Sequence, residues 1–180
     1  MNNDLRRRLV CLTGFMGSGK STVARLLASQ LGWNSTDLDK SISDEAGLSI
    51  PEIFSRHGEP EFRRIESEHL ARVVAEAIET GKPRILSLGG GTIAQPRNLG
   101  LLREAGATLI WLECPIEELL LRCAKITDRP LFRDEASFRR LYEERLPAYR
   151  MADYRVDSGC EPRRVMEQIL ALGIFAQVPA

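Results

Sequence analysis

The sequence has few of the residues from which zinc centres and disulfide frameworks are built. It contains four cysteines and two histidines, and no two cysteines are spaced as C-x-x-C. A zinc site is therefore not expected, and nothing calls for an oxidising compartment. Cys11 and Cys114 lie in apolar runs and are predicted to be buried. His57 and His69 are expected to face solvent or to cap helices, without a chemical role.

Long hydrophobic runs and an excess of charge of either sign are also missing. The apolar run Leu9–Thr13 is too short for a secretory signal or a membrane span, so a cytoplasmic location is expected. The 25 basic residues balance the 25 acidic ones, which gives no reason to expect a nucleic-acid or membrane partner. With 180 residues, the chain is predicted to form a single domain, 1–180.

Lysine is scarce, since only Lys20, Lys40, Lys82 and Lys125 are present among the 25 basic residues. The remainder are arginines, whose planar guanidinium groups suit bidentate recognition of phosphate and carboxylate groups. The base composition of the genome explains the same bias equally well. The bias alone therefore does not decide between a chemical and a genomic cause.

Short apolar runs alternate with segments of helical periodicity along the chain. Strands are predicted at 9–13, up to about 37, at 84–88, 108–113 and 154–157, and helices at 20–31, 39–46, 49–57, 59–80, 96–105, 115–123, 135–151 and 162–172. Residues 124–134 lack a clear period and are predicted to form a mobile loop, and Pro147 should kink or interrupt its helix. The alternation implies an α/β fold with a parallel sheet covered on both faces.

Residues 14–21, G-F-M-G-S-G-K-S, match the phosphate-loop pattern G-x-x-x-x-G-K-[ST] between a predicted strand and a predicted helix. Glycines let the backbone curl so that its N–H groups face phosphate oxygens, and the helix adds its positive end. Lys20 would reach the β- and γ-phosphates, and the Ser21 hydroxyl would ligate Mg²⁺. The spacing does not fit the dinucleotide pattern G-x-G-x-x-G. The predicted ATP-binding residues here are Gly14, Gly17, Ser18, Gly19, Lys20, Ser21 and Thr22.

A phosphate loop alone does not separate kinases from GTPases and ATPase motors. The guanine-reading motif N-K-x-D is absent, and the D-x-x-G match at 44–47 follows no predicted strand. The strand at 84–88 runs into three glycines, whereas a Walker B strand usually ends in aspartate. The acid near Mg²⁺ must therefore come from elsewhere, and Asp37 is the best candidate.

Asp37 and Asp39 are two residues apart at the end of the second predicted strand. If this segment is extended, both carboxylates project to the same side, towards the phosphate loop. One could order a Mg²⁺-bound water while the other orients the attacking hydroxyl. Because the transition state of phosphoryl transfer is loose, Asp39 is expected to orient the acceptor first and to act as a base second. The alternative is a solvated pair at a helix start, with Asp39 as the N-cap.

Several further motifs resemble those of shikimate kinases in order and spacing. They are T-D-L-D at 36–39, S-I-P-E-I-F at 49–54, G-E at 58–59, E-F-R-R-I-E at 61–66, L-S-L-G-G-G at 86–91, R-P-L at 129–131 and R-x-x-x-Y at 145–149. The match extends from residue 9 to about residue 172, and together the motifs are highly specific. Leu38 is a departure, because the family usually has threonine between the two aspartates, and little effect is expected from it.

The resemblance implies a fold like that of the nucleoside monophosphate kinases, a P-loop kinase with a five-stranded parallel sheet flanked by helices. It also implies a lid at about 124–134 and a substrate-binding helical subdomain at about 37–65. The implied activity is transfer of the ATP γ-phosphate to the 3-hydroxyl of shikimate, on the route to chorismate and the aromatic amino acids. One Mg²⁺ ion per subunit, ATP as co-substrate and a monomeric state are expected.

The resemblance also assigns the residues that act on the phosphate. The family's Mg²⁺-side acid falls on Asp37, acting through water, and its hydroxyl-contacting acid falls on Asp39. Its lid arginine falls on Arg129, which is expected to bind ATP and to act in catalysis together with Lys20. A swinging lid would exclude water and bring a cation to the developing charge.

The resemblance likewise assigns the residues that would bind the acid substrate and the adenine ring. The carboxylate-binding arginines of the family fall on Arg63 and Arg145, although a charged helical segment such as 61–69 is by itself more often a solvated face. Phe54 and Phe62 are expected either to form a wall of the substrate site or to be plain core. The glycine loop that contacts substrate falls on Gly89, Gly90 and Gly91, and the residues that flank adenine fall on Arg122 and Pro162.

Two other functions stay open on the sequence. A gluconate or nucleotide kinase would share the fold, but it would not require the combination of Asp37, Asp39, Arg63, Arg145 and the glycines at 89–91. A nucleotide-binding regulator would bind ATP and release no ADP with any acid. The presence of Lys20, Asp39 and Arg129 argues against this function. The release of ADP with a defined acceptor separates these functions.

Overall fold

The computed structural model describes residues 8–124 and 134–175. Within them, five parallel strands form a sheet in the order β2-β3-β1-β4-β5. The strands are β1 (Leu9–Thr13), β2 (Asn34–Asp37), β3 (Arg84–Ser87), β4 (Thr108–Glu113) and β5 (Tyr154–Asp157). The predicted five-stranded parallel sheet is thereby confirmed, and no strand end differs from its expected position by more than one residue.

Seven α-helices and a turn of 3₁₀ helix (Thr92–Ala94) connect the strands in the described residues. The helices are α1 (Lys20–Leu31), α2 (Leu38–Ala46), α3 (Ile50–Thr80), α4 (Pro96–Glu104), α5 (Ile116–Ala124), α6 (Glu135–Tyr149) and α7 (Pro162–Leu170). None of these helices combines the length and the apolar character that a membrane span requires. The lid predicted at 124–134 lies, apart from its two end residues, outside the described part of the chain.

The sheet is covered on both faces because β1 alternates its side chains between two apolar layers. Leu9 and Cys11 lie in one layer, to which α2, α3, α4, α5 and α6 contribute. Val10 and Leu12 lie in the other, to which α1 and α7 contribute. All four side chains are buried, which is typical of a central strand in a parallel sheet. Cys114 is buried as well, as the sequence predicted for it and for Cys11.

Local capping fixes the ends of α3 and a break within it. Ser49 is the N-cap and forms a capping box with Glu52, in which Ser49 Oγ accepts from the backbone N–H of Glu52 and the Glu52 carboxylate accepts from that of Ser49. Gly58 leaves the helical dihedral angles, with φ of 78° and ψ of 168°, a conformation that glycine adopts readily. The break at Gly58 falls between the two helices predicted at 49–57 and 59–80, so α3 comprises both of them.

The structure corrects the expectations that His69 faces solvent or caps a helix and that Pro147 interrupts its helix. His69 is not at the surface but 6% exposed, because α2 packs over α3 at this point and Ser41 Oγ lies 2.8 Å from its Nε2. Pro147 does not interrupt its helix, which continues to Tyr149. Since α6 ends two residues after Pro147, the missing N–H removes only one hydrogen bond from the last turn.

The carboxyl ends of β1, β2 and β3 meet at one edge of the sheet, because these strands are parallel neighbours. The register pairs Leu12 with Ser87, and Ser87 with Asp37. The phosphate loop (residues 14–21) follows β1, α2 follows β2, and the glycine loop (residues 89–91) follows β3. Ligands of open parallel sheets bind outside the carboxyl ends of the strands. The fold therefore brings three separate sequence motifs to a common ligand-binding edge.

Candidate active site

A cleft of about 990 Å³ opens at this edge of the sheet. The phosphate loop, α2, α3, the glycine loop, α5 and α6 all contribute to its wall. The residues predicted for the site that line this cleft are Gly17, Gly19, Lys20, Ser21, Thr22, Asp37, Asp39, Phe54, Phe62, Arg63, Gly89, Gly90, Gly91, Arg122 and Arg145. Residues that are far apart in the sequence are thus neighbours around a single cavity.

Close backbone approaches exclude side chains from the phosphate loop. A Cβ on Gly14 would lie 2.6 Å from the carbonyl oxygen of Leu112, and a Cβ on Gly17 would lie 2.9 Å from Cys123 Sγ. Both glycines also have a positive φ, of 144° and 83°, which other residues rarely adopt. Gly19, with φ of 90°, is the N-cap of α1. The helix therefore begins directly at the loop, and its positive end faces any anion bound there.

The polar side chains of the loop are positioned by its own backbone and by β3. Lys20 Nζ donates to the carbonyl oxygens of Gly14 and Phe15, in both cases at 2.9 Å. Ser21 Oγ lies 3.5 Å from Ser87 Oγ, at the end of β3. The buried Ser18 Oγ has no hydrogen-bond partner among the described residues. The loop thus gathers an ammonium group and two hydroxyls at the start of α1.

Two oxygen-bearing side chains fit the predicted Mg²⁺ site. The Ser21 hydroxyl and the Asp37 carboxylate belong to residues that both line the cleft. Mg²⁺ prefers oxygen ligands and is usually held by one or two carboxylates together with water and substrate phosphates. In residues 8–124 and 134–175, no three His, Cys, Asp or Glu side chains group as a metal site. The donors present therefore suit an ion that is held jointly by protein and nucleotide.

The two aspartates differ in conformation from the extended pair that the sequence suggested. Asp37 is the N-cap of α2, where its Oδ1 accepts from the backbone N–H of Lys40 at 3.1 Å. Asp39 lies in the first turn of that helix. The expectation of an extended segment was wrong because the helix starts at Leu38, and so was the alternative with Asp39 as the N-cap. Asp37 and Asp39 nevertheless line the same cleft.

The environment of Asp39 changes its acidity. Burial, followed by the repulsion of the neighbouring Glu66 carboxylate, raises the pKa of Asp39 from its ordinary value of 3.8 to about 6. The Lys20 ammonium acts in the opposite direction. At neutral pH this carboxyl is therefore still mainly ionised, although it can take up a proton under mildly acidic conditions.

A buried ion pair on α3, which the sequence motifs did not identify, orients Arg63. Arg63 Nη1 donates to Glu66 Oε2 at 2.8 Å, and the other oxygen of Glu66 accepts from Thr92 Oγ1 at 2.6 Å. Glu66 is fully buried. Its spacing of three residues after Arg63 on a helix was a usable signal. No signal in the sequence pointed to Thr92, since the contact spans 26 residues.

The glycine loop is packed so closely against side chains of the site that a Cβ on it would press against their polar ends. A Cβ on Gly89 would lie 2.8 Å from Asp39 Oδ1. A Cβ on Gly90 would lie 3.0 Å from Arg145 Nη1, and a Cβ on Gly91 would lie 2.6 Å from Arg63 Nη2. A larger residue at any of these positions would displace the acid or a guanidinium group. The backbone of the loop is thus surrounded by the carboxylates of Asp39 and Glu66 and by two guanidinium groups.

Arg145 reaches the loop from α6 and is almost entirely buried. Its guanidinium carbon lies 5.7 Å from the centre of the Phe15 ring, a cation–π distance. One turn further along α6, Tyr149 Oη donates to the carbonyl oxygen of Gly90 at 2.5 Å. Burial raises the pKa of the Tyr149 phenol, so that it stays protonated and keeps donating. The motif R-x-x-x-Y thus provides both a cation and a fixed support for the glycine loop.

Phe54 and Phe62 lie between the cleft and the apolar core. Their ring centres are 4.4 Å apart, and Phe62 is buried in the apolar layer below. Both also line the cleft. The guanidinium carbon of Arg63 lies 5.2 Å from the Phe62 ring centre and 6.0 Å from that of Phe54. The two rings therefore support Arg63 from its apolar side.

A second cavity, of about 520 Å³, adjoins the phosphate loop and shares Gly17, Gly19 and Thr22 with the main cleft. Pro162 lines it, and so does Arg122, whose Nη1 donates to the carbonyl oxygen of Ser158 at 3.0 Å. The remaining predicted site residue, Arg129, lies outside the described residues. The arginine and proline predicted to flank adenine therefore lie beside the same cavity.

Comparison with known proteins identifies relatives over nearly the whole chain. A model of the family described as "Shikimate kinase" matches residues 16–172. The shikimate kinase of Geobacter metallireducens is 44% identical over 154 residues, which are 84% of this chain and 83% of that protein. The family match therefore includes most of the phosphate loop, the glycine loop and both helices that carry the arginines.

Two solved structures agree with this result. Shikimate kinase from Acinetobacter baumannii, in complex with shikimate, superposes with a TM-score of 0.84 at 33% identity and covers 93% of this chain and 94% of its own. Shikimate kinase from Aquifex aeolicus gives a TM-score of 0.77 at 33% identity, with 91% and 94% covered. The similarity thus extends from the sequence to the arrangement of the elements.

Proposed function

Because this chain belongs to the shikimate kinase family, we propose that it transfers the γ-phosphate of ATP to the 3-hydroxyl of shikimate with the side chains around its cleft. The main supporting observation is the glycine loop, where a Cβ on any of the three glycines would lie within 3.0 Å of Asp39, Arg63 or Arg145. An acid and two arginines around backbone that lines the cleft suit a substrate that has both hydroxyl groups and a carboxylate. A nucleotide kinase would not need this combination, whereas gluconate, which also has hydroxyl groups and a carboxylate, is separated from shikimate by the acceptor assay described below.

Arg63 and Arg145 are the proposed binding groups for the shikimate carboxylate. Both guanidinium groups are largely withdrawn from solvent, where a charge-assisted hydrogen bond is stronger than at the surface. Each is held from behind by an aromatic ring, and Arg63 also by Glu66. This arrangement allows a neutral protein to bind an acid, because the positive charge is concentrated at the site.

Asp39 is the proposed orienting group for the attacking hydroxyl. With a pKa of about 6 it is mostly ionised at neutral pH and can accept a hydrogen bond from the 3-hydroxyl. Since the transition state is loose, holding the hydroxyl in line contributes more than removing its proton early. Asp39 then accepts the proton as the new bond to phosphorus forms and the bond to the ADP oxygen breaks.

The nucleotide is proposed to bind along the phosphate loop. Lys20 would exchange its two backbone carbonyl partners for β- and γ-phosphate oxygens, and Ser18, Thr22 and the backbone of the loop would contact the remaining oxygens. Adenine would lie between Arg122 and Pro162 beside the second cavity. The lid arginine, Arg129, is assigned to the transferred phosphate from the sequence motif alone.

Mg²⁺ would be held by the Ser21 hydroxyl and, through water, by Asp37. A bound Mg²⁺ ion neutralises charge on the β- and γ-phosphates. We further propose one ion per subunit, a monomeric and cytoplasmic enzyme, and no nucleic-acid or membrane partner. The whole chain, 1–180, would act as one kinase domain, with substrate binding at about 37–65 and the lid at about 124–134.

The direct test is ADP release with Mg²⁺ and ATP in the presence of shikimate, with gluconate and nucleoside monophosphates as alternative acceptors. Turnover with shikimate only is expected. Turnover with another acceptor instead would reject the substrate and retain the kinase. Absence of turnover with every acceptor, despite ATP binding, would indicate a nucleotide-binding regulator.

A pair of variants on α2 tests the chemistry. Asp39→Asn removes the negative charge at the glycine loop and is expected to lower kcat at least a hundredfold, the usual scale for a residue that handles the transferred proton. ATP affinity, measured by calorimetry, should stay within about twofold. Asp44→Asn is the matched control, because Asp44 lies on the same helix, is exposed and pairs only with Lys40 in the described residues. Near-normal turnover of Asp39→Asn would remove Asp39 from the mechanism.

A further inference from the structure

The fully buried carboxylate of Glu66 has a different partner on each oxygen. Oε2 accepts from Arg63 Nη1 at 2.8 Å, and Oε1 accepts from Thr92 Oγ1 at 2.6 Å. A buried charge needs such partners, because the loss of one exposes it to the full desolvation penalty. The orientation of this carboxylate, and with it that of the guanidinium of Arg63, therefore depends on the hydroxyl of Thr92.

Backbone hydrogen bonds and complete burial hold Thr92 in place. It begins the 3₁₀ helix directly after the glycine loop, and its N–H donates to the carbonyl oxygen of Gly89 at 3.2 Å. Its own carbonyl oxygen accepts from Asn98 Nδ2 at 3.0 Å. Thr92 and Asn98 are both fully buried. Because a β-branched side chain has few rotamers, a fixed backbone also fixes the direction of the hydroxyl.

We propose that Thr92 is a positioning residue for the acid substrate: its hydroxyl holds Glu66 in the orientation that keeps Arg63 against the glycine loop. This inference rests on the proposed function, because it needs Arg63 to bind the substrate carboxylate. Thr92 connects the two parts of that site, since the same residue continues the glycine loop and orients the arginine. A change at Thr92 thus acts on the bound acid without touching it.

A second carboxylate, that of Glu59, also binds Arg63. The hydrogen bond from Thr92 to Glu66 is therefore needed to hold Arg63 in its inward position. Arg63 Nη2 and Nε also donate to Glu59 Oε1, at 3.2 Å and 3.3 Å, one helical turn towards the solvent. Glu59 is exposed, and its side chain is free to follow a guanidinium group outwards. If Glu66 loses its hydrogen bond to Thr92, the carboxylate can rotate, and Arg63 can shift towards Glu59. The Thr92 hydroxyl therefore favours the inward position of Arg63.

Three variants test this role. Thr92→Val keeps the shape and removes the hydroxyl, whereas Thr92→Ser keeps the hydroxyl and removes a methyl group. Thr13→Val is the matched control, because Thr13 is as deeply buried at the end of β1 and its hydroxyl has no partner among the described residues. Thr92→Ala gives the same comparison if the valine variant is insoluble.

We expect Thr92→Val to raise the KM for shikimate and its calorimetric Kd roughly tenfold, the scale of one lost hydrogen bond to a charged group. The KM for ATP and kcat should change by less than about twofold. Thr92→Ser should restore the affinity for shikimate, and Thr13→Val should behave as the wild type. Thermal unfolding of each variant separates these effects from a general loss of structure.

Several results would overturn the inference. One is an unchanged KM for shikimate in Thr92→Val; another is a parallel change of kcat and both KM values with a lowered Tm and no recovery in the serine variant. A crystal structure of Thr92→Val in which the Arg63–Glu66 contact is intact would also overturn the inference, and this result does not depend on measuring turnover. Failure of the proposed function is distinguishable, because it appears as absent shikimate-dependent ADP release in the wild type.

Discussion

At the scale of single residues, two neighbouring arginines on α3 have opposite environments. The side chain of Arg63 is 14% exposed and faces the glycine loop, whereas that of Arg64 is 53% exposed and pairs with Glu61 and Glu68 on the surface. Successive residues on a helix point about 100° apart, so the dipeptide contains one inward and one outward cation. The pair provides a comparison of the same residue type, one position apart.

We expect Arg63→Ala to raise the KM for shikimate at least tenfold, because the substrate carboxylate loses a charge-assisted partner in a desolvated site. Arg64→Ala should leave the KM within about twofold, since exposed ion pairs contribute little. Steady-state kinetics with varied shikimate at saturating ATP provide the measurement. Equal effects of the two variants, or none from Arg63→Ala, would remove Arg63 from the carboxylate site.

Motifs in the sequence indicated which residues line the cleft but not how they are held. Asp39, Arg63 and Arg145 could be named because they lie in short motifs with a fixed order. Glu66 and Tyr149 also lie in such motifs, but their contacts with Thr92 and Gly90 join residues 26 and 59 positions apart, which no local pattern predicts. The catalytic and binding roles of all these residues stay predictions until the variants are measured.

At the scale of secondary-structure elements, a buried histidine connects α2 to α3. His69 Nε2 lies 2.8 Å from Ser41 Oγ, and Nδ1 lies 2.9 Å from Arg72 Nη2 and 3.2 Å from Glu45 Oε2. Arg72 also pairs with Glu45 at 2.6 Å. Since Arg72 can only donate, Nδ1 accepts and Nε2–H donates to Ser41 in a neutral ring. The helix that carries Asp39 is thus attached to α3 by an uncharged imidazole.

This attachment predicts how stability varies with pH. Burial lowers the pKa of His69 below its ordinary value of 6.5, and Arg72 lowers it further, against the opposing effect of Glu45. The unfolded chain therefore binds the proton more readily than the native one, so stability rises with pH across this window. The contribution of neutral His69 to stability is fully present above pH 6.5 and decreases as the pH falls towards the pKa of His69 in the native protein.

Urea unfolding at pH 7.5 and pH 5.5 measures this effect. We expect His69→Gln, which can still donate to Ser41, to lose less stability between the two pH values than the wild type. His57→Gln is the matched control, because His57 is exposed, and it should follow the wild type. The same pH dependence in His69→Gln as in the wild type would assign the effect to other groups.

The elements themselves were largely predictable because their boundaries are encoded locally. Ser49 and Glu52 supply the capping box of α3, and Gly32 and Gly81 end α1 and α3 in the left-handed conformation. The burial of His69 could not be read in this way. It depends on α2 packing over α3, which is a tertiary contact, so a polar residue there resembles a surface residue in the sequence.

At the scale of the whole molecule, both edges of the sheet are short and polar. The edge strands β2 and β5 have four residues each, and only Val156 among those eight is buried. Short polar edges are poor templates for pairing with a further strand. The edges therefore give no structural reason for association through the sheet.

A monomer is accordingly expected in solution. Light scattering coupled to size exclusion should give a mass near 20.2 kDa over a wide range of protein concentration, because edge pairing is disfavoured. A mass near twice this value that persists on dilution would contradict the prediction. Addition of ATP and shikimate should leave the mass per particle unchanged apart from the ligands.

The α/β class follows from local alternation of strands and helices, but the strand order does not. In the sheet, β1 lies between β3 and β4, and its partners are 75 and 98 residues away in the sequence. Such pairings are determined by packing across the whole domain, which no local pattern contains. The sequence therefore predicted five parallel strands without their order in the sheet.

The central position of β1 has a consequence for the protein during its synthesis. Val10 pairs with Thr108, which is synthesised 98 residues later. At about 5–20 residues per second, the ribosome needs roughly 5–20 seconds to make the chain between them. Its other partner strand, β3, lies 75 residues away, so for most of that time β1 has no strand with which it can pair. Early contact with a chaperone at residues 9–13 would therefore protect the strand on which the fold is later assembled.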